Sequence, residues 1–196
     1  MSILYRYGST YYINMTNRCP CRCTFCVRNE TPRLGDADSL WLDHEPTVDE
    51  IIDEIRKVDL SGSREIVFCG YGEPTERFDD LKECARRIKE EFGKPVRLDT
   101  NGLGNLINGR DIVPEMVGLI DSVSISLNAP NEEEYLEVTK SRFGPGSYQA
   151  VLDFIRECRQ RICGVTVSVV GGSISEESEE ECSRMAREMN VAFRVR

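Results

Sequence analysis

The sequence predicts an α/β fold: an open, partial (β/α)6 barrel with parallel strands. Three observations predict it. Six short runs rich in β-branched and aromatic residues are spread along the chain, and a helical pattern separates each from the next. Strands joined by helical crossovers must pair in parallel, with the helices outside the sheet. At 196 residues the chain falls short of the ~250 typical of a closed eight-stranded barrel.

The first strand is expected at "TYYINMT" (10–16). Val48, Ile51, Ile52, Ile55 and Val58 then keep helical spacing, and Thr47 with Glu50 three residues later forms a capping box at the start of that helix. "REIVFCG" (64–70) reads as the second strand. Leu81, Cys84, Ala85 and Ile88 form the next apolar stripe, which Gly93 and Pro95 stop. "PVRLDTNG" (95–102) is a third strand running into a turn, followed by a short helix marked by Ile112, Met116, Val117 and Ile120. "DSVSISLN" (121–128) is the fourth strand. Asn131 and Glu134 cap the helix after it, and "GPG" (144–146) breaks the chain. Val151, Leu152, Ile155 and Cys158 mark another helix. "GVTVSVV" (164–170) is the fifth strand, ended by Gly171 and Gly172. Met185, Ala186 and Met189 mark a last helix before the sixth strand, "VAFRVR" (191–196). One domain spanning residues 1–196 is expected, with its sites at the carboxyl ends of the strands.

Composition narrows the function. Hydrophobic content of 40% and charged content of 30% are those of a folded globular chain. No apolar run reaches the ~18 residues of a membrane span, and the N-terminus lacks the zones of a signal peptide. A cytoplasmic protein without membrane association is expected. Nine cysteines in such a compartment argue for metal binding or catalysis rather than disulfides. The net charge of −9 disfavours broad binding of nucleic-acid phosphates. Residues 1–35 nevertheless carry five arginines against Glu30 alone. That basic end suits an anionic substrate or an acidic electron donor.

Four cysteines crowd into "CPCRCTFC" (19–26), directly after the first strand. Cys19, Cys23 and Cys26 have the spacing C-x3-C-x2-C. Three such thiolates can hold three irons of a [4Fe–4S] cluster and leave the fourth open to another ligand. With Cys21 added, the same loop could instead hold zinc or a closed cluster through four thiolates. Cys84, Cys158 and Cys182 lie on apolar helix faces, where cysteine packs as a small hydrophobe. Cys69 stands beside the Gly-Tyr-Gly turn, and core packing is the weightier reading for it. His44 reads as a loop residue.

The loop resembles that of the radical S-adenosylmethionine (SAM) superfamily, with its C-x3-C-x-aromatic-C pattern. "GYGEP" (70–74) after the second strand is similar to that family's G-G-E-P element, "LDTNG" (98–102) to an element of glycyl-radical activating enzymes, and "SISLN" (124–128) to the strand that contacts ribose. "YINMTNRCPCRCTFCVRN" looks closest to a small group named for its association with TatD-family nucleases.

The resemblance implies an enzyme that reductively cleaves SAM at a [4Fe–4S] cluster. The resulting 5′-deoxyadenosyl radical would abstract hydrogen from a substrate that the resemblance does not identify. It implies Cys19, Cys23 and Cys26 as iron ligands, with Cys21 a bystander that touches the cluster's surroundings. Glu73 and Asp99 would meet the methionine ammonium, Ser126 and Asn128 the ribose, and Phe25 the adenine. Gly70 and Gly72 would let backbone approach SAM, Asn101 would stand beside Asp99, and Gly171 would leave room for the nucleoside. Partners implied are a reduced flavodoxin- or ferredoxin-like donor, an anionic substrate and a TatD-family nuclease. A second copy of the chain is a further candidate, to complete the open wall. The competing reading is a zinc or closed-cluster accessory protein working with such a nuclease. The substrate-contacting catalytic residues are not identified by the sequence.

Overall fold

The computed structural model describes residues 1–31 and 33–196. Seven strands form one sheet in the order β1-β2-β3-β4-β5-β6-β7. Six of them are the predicted parallel strands: β2 (Thr10–Ile13), β3 (Ile66–Phe68), β4 (Val96–Thr100), β5 (Ser122–Ser126), β6 (Gly164–Val169) and β7 (Ala192–Val195). Each pairs in parallel with the next in chain order. Sequential order is what a barrel wall requires, and β7 does not pair with the first edge, so the wall is open.

The seventh strand is an addition to the prediction. β1 (Leu4–Tyr7) runs antiparallel to β2 through a tight turn at Gly8, whose φ of 62° lies in the left-handed region. The chain at 34–37 runs beside β1, where the Arg6 and Asp36 backbones are joined through Asp36 N donating to Arg6 O at 3.1 Å. This shields an edge that would otherwise offer unpaired backbone groups.

Register assigns the two faces. Ile13, Phe68, Leu98, Val123 and Val165 are paired across five strands and all buried. Helices cover this face, giving one continuous core. They are α1 (Val48–Arg56), α2 (Phe78–Phe92), α3 (Gly104–Asn108), α4 (Val113–Met116), α5 (Glu132–Thr139), α6 (Ser147–Arg161) and α7 (Glu176–Glu188). The opposite face presents Tyr12, Val67, Arg97 and Ser122 in one row and Asp99, Ser124 and Thr166 in the next. It is therefore a largely polar inner wall.

The helix ends follow the predicted signals. Thr47 and Glu50 make both bonds of the capping box on α1. Gly93 ends α2 at φ 61°, and the Asn131 side chain accepts from Glu134 N at the start of α5. α3 was not predicted. The expected short helix after it is confined to Val113–Met116.

Candidate functional site

The cysteine loop, "GYGEP", "DTNG", "SLN" and Gly171 follow β2, β3, β4, β5 and β6 in turn. Parallel pairing of neighbours puts all five at one end of the sheet. The loop is fixed by the end of α5. Arg22 N donates to Thr139 O and Thr24 N to Val138 O, both at 2.9 Å. These are last-turn carbonyls that a helix leaves without internal partners. Arg142 N also donates to Pro20 O at 2.8 Å.

Within the loop, Cys19, Cys23 and Cys26 are half-buried and Cys21 is buried. The neighbouring Cys21 thiol, by hydrogen bonding, is the first cause that holds the Cys19 and Cys23 thiols below the ordinary value, and the same coupling pushes Cys21 up. Burial raises Cys26. Among the described residues no three His, Cys, Asp or Glu side chains already stand in a metal-ligating array. The donor set itself suits iron: three half-buried thiols, two of them acidified, on one short loop.

Glu73 ties the neighbouring segments together. Its N–H donates to Arg18 O at 2.8 Å, immediately before the cysteine loop. Its carboxylate, only 3% exposed, accepts from Thr75 N (3.1 Å), Thr75 Oγ1 (2.7 Å), Thr100 Oγ1 (2.7 Å) and Asn101 N (2.7 Å). Burial still raises its pKa, against the pull of those donors. Asn101 reaches back to the loop, with Nδ2 3.9 Å from Cys19 Sγ. β3, β4 and the cysteine loop are thus linked through two residues.

The two glycines serve that linkage. A Cβ on Gly72 would collide with the carbonyls of Thr16 and Arg18, and one on Gly70 with the Asn14 side chain. Gly72 thus admits the Thr16 and Arg18 carbonyls and Gly70 the Asn14 side chain, all on the segment that joins β2 to the cysteine loop. Gly171 similarly faces Val195 and Arg196, and its N–H donates to Arg196 O at 2.9 Å, so it closes on β7.

Ser126 and Asn128 do not share a strand face as their spacing suggested. β5 ends at Ser126, and Asn128 sits at φ 65°. Asn tolerates that conformation better than most residues. Ser126 Oγ accepts from Arg196 Nη2 at 2.9 Å. Asn128 Oδ1 and Ser168 Oγ are buried without a partner among the described residues. Two unmet polar atoms at the ends of β5 and β6 suit a polar ligand such as a nucleoside. Phe25 is half-buried within the loop.

A cavity of about 560 Å³ opens on the inner wall beside the loop. Val27, next to Cys26, lines it, as do Cys69 and Asp99. Cys69 therefore faces the cavity rather than the core, and its burial pushes the thiol up to about 12. Asp99 accepts from Arg97 Nε at 2.9 Å. The basic rim expected from the first 35 residues is partly neutralised, because Arg18 pairs with Glu45 at 2.7 Å; Arg28 Nη2 donates to the neutral Cys21 carbonyl at 3.2 Å and keeps its charge. His44 is exposed and pairs with Glu50, while Cys84, Cys158 and Cys182 are buried, as the sequence indicated. No helix among the described residues is long and apolar enough to cross a membrane.

The model of the Radical SAM superfamily matches residues 13–187. A probable dual-specificity RNA methyltransferase RlmN 1 of Protochlamydia amoebophila is 26% identical, over 96% of this chain and 52% of its own. A GTP 3′,8-cyclase of Limosilactobacillus fermentum is 32% identical, over 73% of this chain and 39% of its own. The chain thus spans about half or less of the length of these relatives. In fold it resembles a radical SAM methyltransferase from Sphaerobacter thermophilus, with a TM-score of 0.65 at 20% identity, covering 98% of this chain and 57% of that one. The match over most of the chain shows that it belongs to the Radical SAM superfamily, enzymes that use a [4Fe–4S] cluster and SAM and require an electron donor.

Proposed function

We propose that residues 1–196 form a radical SAM core that abstracts hydrogen from a small substrate held in the inner cavity. When bound, the cluster and SAM supply a 5′-deoxyadenosyl radical by one-electron cleavage of the sulfonium. The observation that carries the reading is the convergence at one sheet end of the acidified cysteine loop, the Glu73–Asn101 linkage and a cavity that begins at Val27. In this reading Cys19, Cys23 and Cys26 hold iron, and Cys21 orders the loop through its contacts with two of them. Asp99 and the free lone pair of Glu73 Oε2 receive the methionine ammonium. Ser126 and Asn128 receive the ribose, with Phe25 and Asn101 flanking the nucleoside. The inner wall orients the substrate and limits access of water.

The likeness of residues 12–29 to the TatD-associated group supports a nuclease as partner, in the cytoplasm. The open wall supports closure by that partner or by a second copy. Co-purification tests the partner. The contact of Cys21 with Cys19 and Cys23 favours one alternative, a four-thiolate zinc or closed-cluster site. Anaerobic reconstitution of Cys→Ala variants separates the two. The proposal expects iron to be lost with Cys19, Cys23 or Cys26 and retained in Cys21→Ala. Loss of all metal in Cys21→Ala, beside its retention in Cys26→Ala, refutes the assignment.

A further inference from the structure

We infer that the inner cavity takes a planar aromatic group carrying a phosphate, an inference that rests on the reading of this cavity as the substrate site. Its two sides differ in chemistry. The β1–β2 side is aromatic. Tyr5 and Tyr12 stack with centroids 5.3 Å apart and planes 23° from parallel. Tyr5 is buried behind, Tyr12 is half-buried, and Tyr7 is 60% exposed at the edge. All three line the cavity. A stacked pair backed by the sheet is a flat, rigid platform for another ring.

The β7 side is cationic. Arg194 projects from one face of β7; Arg196, one residue past the strand's end, continues the pairing with β6 through Arg196 N donating to Val169 O at 2.9 Å, and both arginines line the cavity. Pairing of Ser168 with Arg194 puts that face on the inner wall. The third arginine of the cavity, Arg97, is already engaged by Glu65 at 2.6 Å and Asp99 at 2.9 Å. Neither Arg194 nor Arg196 has a carboxylate within ion-pair distance among the described residues, and Arg196 donates only to a neutral hydroxyl, Ser126 Oγ. Asp99 also lines the cavity and faces all three arginines, but it is bonded to Arg97 and lies beyond ion-pair distance of Arg194 and Arg196, so those two guanidinium groups keep a net positive charge that selects an anion. A phosphate dianion has charge and acceptors for both, whereas one carboxylate matches one guanidinium fork.

SAM itself does not satisfy this side: its sulfonium and ammonium are cations, and its one anion, the carboxylate, matches a single guanidinium fork and would be drawn with the ammonium to the open iron. A volume of about 560 Å³ is that of a small-molecule site. A ligand spanning it would put its ring on Tyr12 and its phosphate on Arg194 and Arg196. The anion selectivity that the sequence attributed to the loop arginines is thereby moved to β7.

The test is calorimetric titration of the anaerobically reconstituted protein, saturated with SAM, with GMP, guanosine, ribose 5-phosphate and indole-3-carboxylate. GMP is expected to bind at least ten-fold more tightly than each of the others. Arg194→Gln with Arg196→Gln should abolish the preference of GMP over guanosine. Both arginines are exposed, so the fold is expected to survive. Tyr12→Leu should abolish the preference of GMP over ribose 5-phosphate. Equal binding of GMP and guanosine, tighter binding of indole-3-carboxylate, or selectivity unchanged in the variants overturns the inference. The titration is repeated on an iron-free Cys19→Ala protein without SAM. Phosphate selectivity that persists there while the native protein fails to cleave SAM would refute the proposed function alone. SAM cleavage without phosphate selectivity would refute this inference alone.

Discussion

Replacing Glu73 by Gln tests the linkage that holds the site together. The carboxylate is surrounded by donors: Thr75 N and Oγ1 and Thr100 Oγ1 on one oxygen, Asn101 N on the other. An amide has one acceptor oxygen. Whichever way it turns, its NH2 faces a backbone N–H, either that of Asn101 or that of Thr75. One hydrogen bond is lost and one buried N–H is left without an acceptor, a loss of about 1–3 kcal/mol. Relief from burying a charge, the first cause of the raised Glu73 pKa, offsets part of it. The net expectation is about 1–2 kcal/mol out of a domain stability of about 5–15 kcal/mol. Urea unfolding under reducing, anaerobic conditions reads this as a midpoint lower by about 0.5–1 M, for a slope near 2 kcal/mol/M. SAM affinity should fall as well, by about one decade. An unchanged midpoint together with unchanged SAM affinity refutes the account of Glu73.

Gly72→Ala should cost about 1–3 kcal/mol and lower iron uptake on reconstitution, because its methyl meets the Thr16 and Arg18 carbonyls; Gly62→Ala, with open space around it, should do neither. Asp99→Asn should weaken SAM binding by about one to two decades in calorimetry, the loss of a charge-assisted bond, while iron content stays the same. Glu115 is held down to about 2 by Arg110 first and Lys82 second. Its folded value is depressed, so its contribution is present above the ordinary 4.5 and lost as pH falls towards 2. Solvent screens these pairs, so Glu115→Gln should cost only about 0.5–1 kcal/mol at neutral pH and nothing in strong acid, as read by unfolding at each pH.

Much of this was legible in the sequence, because the governing interactions are local. The Thr47–Glu50 box, the Asn131 cap and the Gly93 stop depend on residues within one turn of each other. The parallel strands follow from alternation with helices. What escaped detection depended on distant contacts. β1 is four residues long and exists through its pairing with β2. The neighbours of Gly70 and Gly72 lie on the segment between β2 and the cysteine loop, more than 50 residues away in sequence. Asn128 leaves the strand that its spacing implied because β5 ends two residues earlier. The facing tyrosines and arginines are invisible in sequence, since only the curl of the sheet brings residues 5–12 and 194–196, from its two opposite edges, to one cavity. The cysteine spacing, by contrast, was readable because all the candidate ligands share eight positions.

The central claim, that this loop builds a SAM-cleaving cluster, is tested most directly by electron paramagnetic resonance of the anaerobically reconstituted, reduced protein with and without SAM. The account predicts a [4Fe–4S]+ signal that changes on adding SAM, with formation of 5′-deoxyadenosine, and loss of both in Cys26→Ala. A protein that takes up zinc in place of iron, or a cluster signal indifferent to SAM with no 5′-deoxyadenosine formed, would contradict it.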